Sequence, residues 1–154
     1  MYNYLLYLHS IMRWIILILL LVNIYQNIAR ANKPFNKRDA TLGLLLMIAA
    51  HITLLIGIYQ WFAGDLGFQL IKNAGMAAVM KDAASRFWAV EHITGMVIAI
   101  ILITVGRGVS KKTYDDNKKH KRSALFYIIA LVIILATVPW PFREGIGRPW
   151  FPGT

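Results

Sequence analysis

The sequence contains no cysteine, and that absence removes several classes of site. Disulfides, thiolate metal centres, iron–sulfur clusters and haem attached through a Cys-x-x-Cys-His motif are all excluded. Acidic residues are also scarce, with 7 Asp and Glu against 17 Lys and Arg. A binding site in this chain must therefore rely mainly on histidine, arginine, methionine and the backbone.

Long stretches of the chain lack charge almost entirely. A bilayer span needs about 20 largely apolar residues at a rise of about 1.5 Å each. Four runs approach that length, over residues 5–28, 41–62, 87–106 and 123–140. A chain of 154 residues with four such runs has room for one domain only. We predict an all-α fold, an integral membrane four-helix up-down bundle in which residues 1–154 form a single transmembrane domain in contact with the lipid bilayer.

The net charge of +10 has a topological explanation. Lys and Arg are concentrated in the first and third connections, within residues 30–38 and 107–122. These connections fall on the same side of a four-span protein, and short basic loops stay in the cytoplasm. We therefore predict a multi-pass protein of the bacterial plasma membrane with both termini outside, and no nucleic-acid partner.

Three of the four histidines, His9, His51 and His92, lie inside the apolar runs. Ionisable groups at membrane depth are costly, so they usually face the bundle interior and serve a function there. With Tyr4, Trp61 and Trp88 taken as markers of the outer interface, depth follows from about 1.5 Å per residue. His9 and His92 then lie roughly 6–7 Å below that plane, and His51 lies roughly 15 Å below it.

Equal depth predicts which histidines meet. The first and third helices of an up-down bundle are diagonal neighbours, so His9 and His92 would face each other across the core. Two imidazoles at one level are the axial ligands that a six-coordinate haem iron requires. We predict these two as metal ligands, with His51 as the alternative partner of His92 if the second helix is shifted outward.

Further candidates for the same cofactor-binding site are Arg13, Arg86, Glu91 and Gly95. Arg13 shares a helix face with the first histidine, and Arg86 stands at the mouth, so both are available to neutralise haem propionates. Glu91 and Arg13 could instead form a buried ion pair. Gly95 allows a second helix or a flat ligand to approach closely, and helix packing is the simpler of these two interpretations.

Other segments give weaker signals. We expect His120, among lysines, to lie in a solvated loop, and Asp39 to cap the second helix. Residues 63–86 predict either an amphipathic strip in the headgroup region or a partly ordered loop. The proline- and aromatic-rich residues 139–152 predict a stiff tail over the outer mouth of the bundle or in the interface.

Several short motifs resemble those of small bacterial four-helix membrane proteins labelled cytochrome b-like. They are His9-x3-Arg13-Trp14, Arg86-Phe87-Trp88-x-x-Glu91-His92, Lys119-His120-Lys121-Arg122 and Pro139-Trp140-Pro141. The resemblance covers nearly the whole chain. It implies a non-covalent haem b held by histidines, with electron transfer as the activity.

Two alternatives remain open at this stage. Met47 precedes His51 by four residues and Met96 follows His92 by four, which would suit a copper-binding or copper-transporting protein, since thioether and imidazole ligands favour Cu(I). Alternatively, the chain is an accessory subunit of a membrane complex, in which His51 and Arg13 hold a quinone or the bundle packs against a larger partner. Other redox proteins and a second copy of the chain are further candidate partners.

Overall fold

The four apolar runs fold as four long helices in the computed structural model, which describes residues 2–151. The helices are α1 (Tyr2–Ala29), α2 (Lys37–Ala63), α3 (Phe68–Ala74), α4 (Met76–Lys81), α5 (Ala83–Arg86), α6 (His92–Gly108) and α7 (Asp116–Thr137). A π-helical turn, Phe87–Glu91, leads into α6, and a 3₁₀ turn, Val109–Lys111, follows it. No strand occurs within the described residues, and the predicted all-α class is confirmed.

Four helical segments are long and apolar enough to cross a membrane, so this is a multi-pass membrane protein. They are Tyr2–Ala29, Lys37–Ala74, Ala83–Lys111 and Asp116–Thr137. Large apolar side chains cover the outside of the bundle; Ile18 is 59% exposed, Leu55 68% and Val132 60%. In water such a surface would drive association, whereas in a bilayer it contacts the acyl chains.

The long helices pack in a square. α1 contacts α2 and α7, and α6 contacts the same two helices, so α1 and α6 stand diagonally across the core. Fully buried side chains from every wall fill the centre, among them Leu20, Leu46, Ile103 and Ala130. The start of α1 and the end of α7 define the terminal end of the bundle. The connections that follow α1 and α6 define the basic end.

Polar caps start α2 and α7 well before their apolar runs. Asn36 caps α2, and Asp39 is the third helical residue, whose side chain completes a capping box with the backbone of Asn36. The prediction that Asp39 itself is the cap is therefore wrong. α7 begins at Asp116, because the Asp115 side chain accepts a hydrogen bond from the Lys118 backbone, and it includes two polar turns before the apolar run.

The connection between α2 and α6 is helical rather than a partly ordered loop, and its location in the headgroup region stays a prediction. It contains α3, α4 and α5, and Val79 of α4 is buried. The side chain of Asp82 caps α5 through Ser85, and hydrogen bonding from Ser85 lowers the pKa of the Asp82 carboxyl. These short helices bring the chain to the π-helical turn at the terminal end.

Candidate functional site

His9 of α1 and His92 of α6 meet across the core near the terminal end of the bundle. Their ring centres are 6.4 Å apart and their planes are inclined at 63°. Imidazoles that bind one metal from opposite sides have ring centres about 6.4 Å apart, since each metal–nitrogen bond is about 2.0–2.1 Å and each nitrogen lies about 1.1–1.2 Å from its ring centre. The observed separation therefore fits a two-histidine metal site.

The π-helical turn places His92. Its backbone N–H bonds the carbonyl of Phe87, five residues back, and this wider turn changes which side chains face inward. Turns of this kind are frequent at functional sites. The His92 Nδ1 lies 2.7 Å from the Thr137 carbonyl oxygen; because a carbonyl can only accept, Nδ1 carries the proton. In the neutral ring Nε2 is then the unprotonated nitrogen, the one able to bind a metal.

His9 owes its position to a glycine on the neighbouring helix. A Cβ on Gly57 of α2 would lie 3.2 Å from Cε1 of His9, so the absence of a side chain there gives the imidazole room. The Nδ1 of His9 is buried and has no hydrogen-bond partner. A buried polar atom without a partner is costly, and a bound ligand or water is the usual explanation.

Both histidines line a cavity of about 380 Å³. That volume falls in the range of about 300–1,000 Å³ typical of small-molecule and cofactor sites. Most of its lining is apolar, and Met96 is part of it, one turn after His92. Two further buried atoms without hydrogen-bond partners, Arg13 Nε and Gln60 Nε2, belong to residues that line the same cavity.

The tail that follows α7 folds back over this end of the bundle, which is one of its two predicted placements. The carbonyl oxygen of Trp150 accepts hydrogen bonds from Arg13 Nη2 at 2.8 Å and from Trp14 Nε1 at 3.1 Å. Arg148 lies over the ring of Trp88, with its guanidinium carbon 5.0 Å from the ring centre, and it lines the cavity. Pro152, part of the predicted tail, lies outside the described residues.

His51 does not join the other two. It is exposed on the outer surface of α2, it does not line the cavity, and its Nδ1 donates to the carbonyl of Met47 one turn back, at 2.8 Å. The structure therefore brings together His9 and His92, the pair expected from equal depth, and leaves the alternative partner facing the lipid. The ligand role of the pair stays a prediction.

Arg86 and Glu91 form an ion pair with each other outside the cavity. Their side chains are 2.8 Å apart and both are partly exposed. The alternative of a buried pair between Glu91 and Arg13 is wrong, because Arg13 points instead to the tail. Arg86 also donates to the carbonyl of Met80, so it holds the connection to α6 and does not face the candidate ligands.

Gly95 serves helix packing. A Cβ at this position would overlap with Cγ2 of Thr137 on α7. The glycine therefore lets α6 and α7 approach at the level where His92 reaches the Thr137 carbonyl. Of the two interpretations of Gly95 made from the sequence, the geometry agrees with packing.

The prediction that His120 lies in a solvated loop is wrong. This histidine is completely buried on α7, its Nδ1 lies 2.9 Å from Oδ1 of Asn27, and its ring packs on Phe35 with centres 4.9 Å apart. Asn117, Ser123 and Tyr127 also point inward from α7, at helical spacing from His120. That period of three to four residues was the signal in the sequence, and the surrounding lysines hid it.

Four further residues of the site were not predicted from the sequence: Gly57, Gln60, Thr137 and Arg148. The glycine and the threonine carbonyl act through contacts between helices, which no local motif encodes. The described residues contain no cluster of three or more His, Cys, Asp or Glu that could hold a metal ion. The two imidazoles are therefore not joined by a third ligand of these types. The groups available for binding are thus two facing imidazoles, a thioether and the guanidinium groups of two arginines.

Comparison with protein families, with curated proteins and with solved structures finds no match for this chain. The fold and the cavity define its class, an all-α multi-pass membrane protein with two facing histidines near one end of the bundle. What occupies the cavity must be argued from the geometry.

Proposed function

We propose that this protein is a b-type cytochrome module of the membrane, which binds one haem between His9 and His92 and transfers electrons. The separation of 6.4 Å between the ring centres carries the proposal, because it suits two axial imidazoles on one metal. A bound haem would supply one-electron redox chemistry. The chain's part is to hold, orient and shield it.

The residues around the two histidines support that role. Donation from His92 Nδ1 to the Thr137 carbonyl fixes the tautomer and the ring orientation, and makes the imidazole a better ligand. The largely apolar cavity excludes water and lowers the local dielectric constant, which influences a redox potential. Arg13 and Arg148 place positive charge beside the cavity.

The visible spectrum of the purified protein tests the proposal. Protein isolated from cells supplied with haem precursors should show a Soret band and, when reduced, the split α and β bands of low-spin haem. Haem should be present at about one per chain and extractable by acid acetone, because no cysteine is available to attach it. A well-folded preparation that neither contains haem nor binds it when haem is added would refute the proposal.

A copper site is the second candidate, and one observation favours it. Met96 lines the same cavity as His9 and His92, so a thioether and two imidazoles border one space. Those ligands suit Cu(I). A colourless protein that retains about one copper ion per chain after chelation, and that loses it in Met96→Leu, would support copper over haem. Met47 and His51, the other predicted pair, lie away from this cavity.

We further propose that the basic end faces the cytoplasm of a bacterial cell and that the histidine site lies toward the outer surface. The basic connections after α1 and α6 support this orientation. Reporter fusions after Asn32 and after Thr113 should be cytoplasmic, and a fusion at the C-terminus should be external. A quinone or another redox protein remains the proposed electron partner, and a second copy or a larger membrane complex the proposed assembly.

A further inference from the structure

The charged side chains that line the cavity are all basic. Arg13 and Arg148 line it together with the two histidines, and no Asp or Glu among the described residues does so. An apolar space bordered by guanidinium groups favours an occupant that carries negative charge, because a charge near low-dielectric surroundings is stabilised by an opposite one.

The two arginines differ in what they already bind. Nη2 of Arg13 donates to the Trp150 carbonyl, and the guanidinium lies near the rings of Trp14 and Trp140. This contact ties the tail to α1. The guanidinium of Arg148 packs on Trp88, and within residues 2–151 it makes no hydrogen bond or ion pair. Arg148 is exposed at the edge of the cavity, so its guanidinium donors are available to a ligand there.

The tail holds Arg148 in place from both sides. The Arg148 backbone N–H donates to the Pro139 carbonyl at 3.0 Å, and Trp150, two residues later, is held by Arg13. Arg143, in the same tail, donates to carbonyls at the end of α7. The backbone that carries Arg148 is thus ordered by contacts that do not use its guanidinium.

We infer that the tail is part of the binding site, and that Arg148 binds a carboxylate of the ligand at the mouth of the cavity. The inference rests on the proposed function. It gives the ligand a direction, with its flat apolar body between the histidines and its carboxylates toward the terminal end. The arginine predicted from the sequence for this task, Arg86, is paired with Glu91 and does not line the cavity.

Comparing haem with its dimethyl ester tests carboxylate binding by Arg148 separately from the haem site itself. The two compounds share the iron and the ring and differ only in the carboxylates. Both are titrated into apoprotein in detergent, and binding is followed by the low-spin spectrum. Wild-type protein should bind haem about tenfold more tightly than the ester, as expected for one charge-assisted hydrogen bond near a surface. Arg148→Gln should reduce that preference to within about twofold, and Arg148→Lys should restore part of it.

Arg86→Gln is the matched control, because it removes an arginine near the same end and should leave the tenfold preference intact. Equal affinity of the wild-type protein for haem and ester, or a full preference in Arg148→Gln, would overturn the inference while leaving the haem site standing. Failure of both ligands to give a low-spin spectrum would overturn the proposed function and the inference together.

Discussion

The two ends of the bundle bury histidines in different surroundings. At the basic end, His120 donates to Asn27, packs on Phe35 and is completely buried. At the terminal end, His9 and His92 border a cavity of about 380 Å³. Buried polar atoms without partners occur at both ends, but only those of the terminal end belong to residues that line this cavity.

This difference distinguishes polar groups that are buried for packing from polar groups that could bind a ligand. At the basic end, each group with an unpaired atom has a neighbour for another atom or for its charge: His120 has Asn27, Arg30 has Asp39, and Arg107 Nη1 donates to the Ser110 hydroxyl. Such a cluster fixes how helices pack. At the terminal end Arg13 also has a partner for another atom, the Trp150 carbonyl. The difference is that the unpaired atoms of His9, Arg13 and Gln60 belong to residues that line one cavity of a size suited to a ligand.

The largest effect should come from the pair at the terminal end. His9→Ala and His92→Ala should each abolish the six-coordinate low-spin spectrum, since one axial ligand is removed in either case. His51→Ala and His120→Ala should keep it, because neither residue lines the cavity. Optical and electron paramagnetic resonance spectra of the four variants show which of them retain low-spin haem. Loss of the signal in His51→Ala, with His9→Ala unchanged, would contradict the assignment.

The architecture and the histidine pair could both be predicted from the sequence because the rise per helical residue is constant. It gives the length of a membrane span, and it converts residue number into depth. His9 and His92 share a level, and the structure places their rings 6.4 Å apart. Contacts between distant segments were beyond such reasoning. Whether Arg13 binds Glu91 or the Trp150 carbonyl depends on how the tail folds back, and no local pattern determines that.

At the basic end the prediction was wrong because it followed hydropathy and charge. The apolar run begins after the lysines, so hydropathy alone predicts that α7 begins near residue 123. The cap at Asp115 instead starts the helix at Asp116. The two additional turns carry His120 onto the inward face of α7. The capping residue Asp115 and the helical spacing of the inward residues were both present in the sequence. The lysines beside His120 nevertheless led to the prediction of a solvated loop.

The second effect concerns that end. His120→Ala should lower the free energy of unfolding by about 2 kcal/mol, because it leaves a cavity and removes the partner of Asn27. For a histidine in a solvated loop, the placement predicted from the sequence, the change would be below about 0.5 kcal/mol. Thermal unfolding in detergent measures the difference, with His51→Ala as the control exposed to lipid. An unchanged midpoint for His120→Ala would show that the packing at the basic end is not as tight as described.

A double-mutant cycle sharpens this test. Asn27→Ala and His120→Ala should be non-additive, since each removes the same hydrogen bond between α1 and α7. Additive changes would mean that the two residues contribute independently, and the basic end would then lack the cooperative cluster that the contacts indicate.

A smaller effect should come from two glycines of α6. Gly95→Ala should destabilise the protein by about 1 kcal/mol or more, because the added Cβ would meet Thr137 of α7. Gly108→Ala meets nothing within 4 Å and should be neutral or slightly stabilising. Unfolding in detergent compares the two. Since Gly95 packs beside the carbonyl that His92 binds, its variant should also broaden or shift the low-spin spectrum. Equal stability of both variants would argue against close contact of α6 and α7.

The smallest effect should come from Glu91, the acid that the sequence placed beside the histidines. Its carboxylate pairs with Arg86 at a partly exposed position, and exposed ion pairs contribute about 0–1 kcal/mol. Glu91→Gln keeps the size of the side chain, so stability should change by no more than about 0.5 kcal/mol and the haem spectrum should be unaltered. A redox titration and a melting curve check both expectations. Because Glu91 directly precedes His92, a large shift in potential or loss of low-spin haem would mean that its charge reaches the site, and that the terminal end extends further than the cavity lining shows.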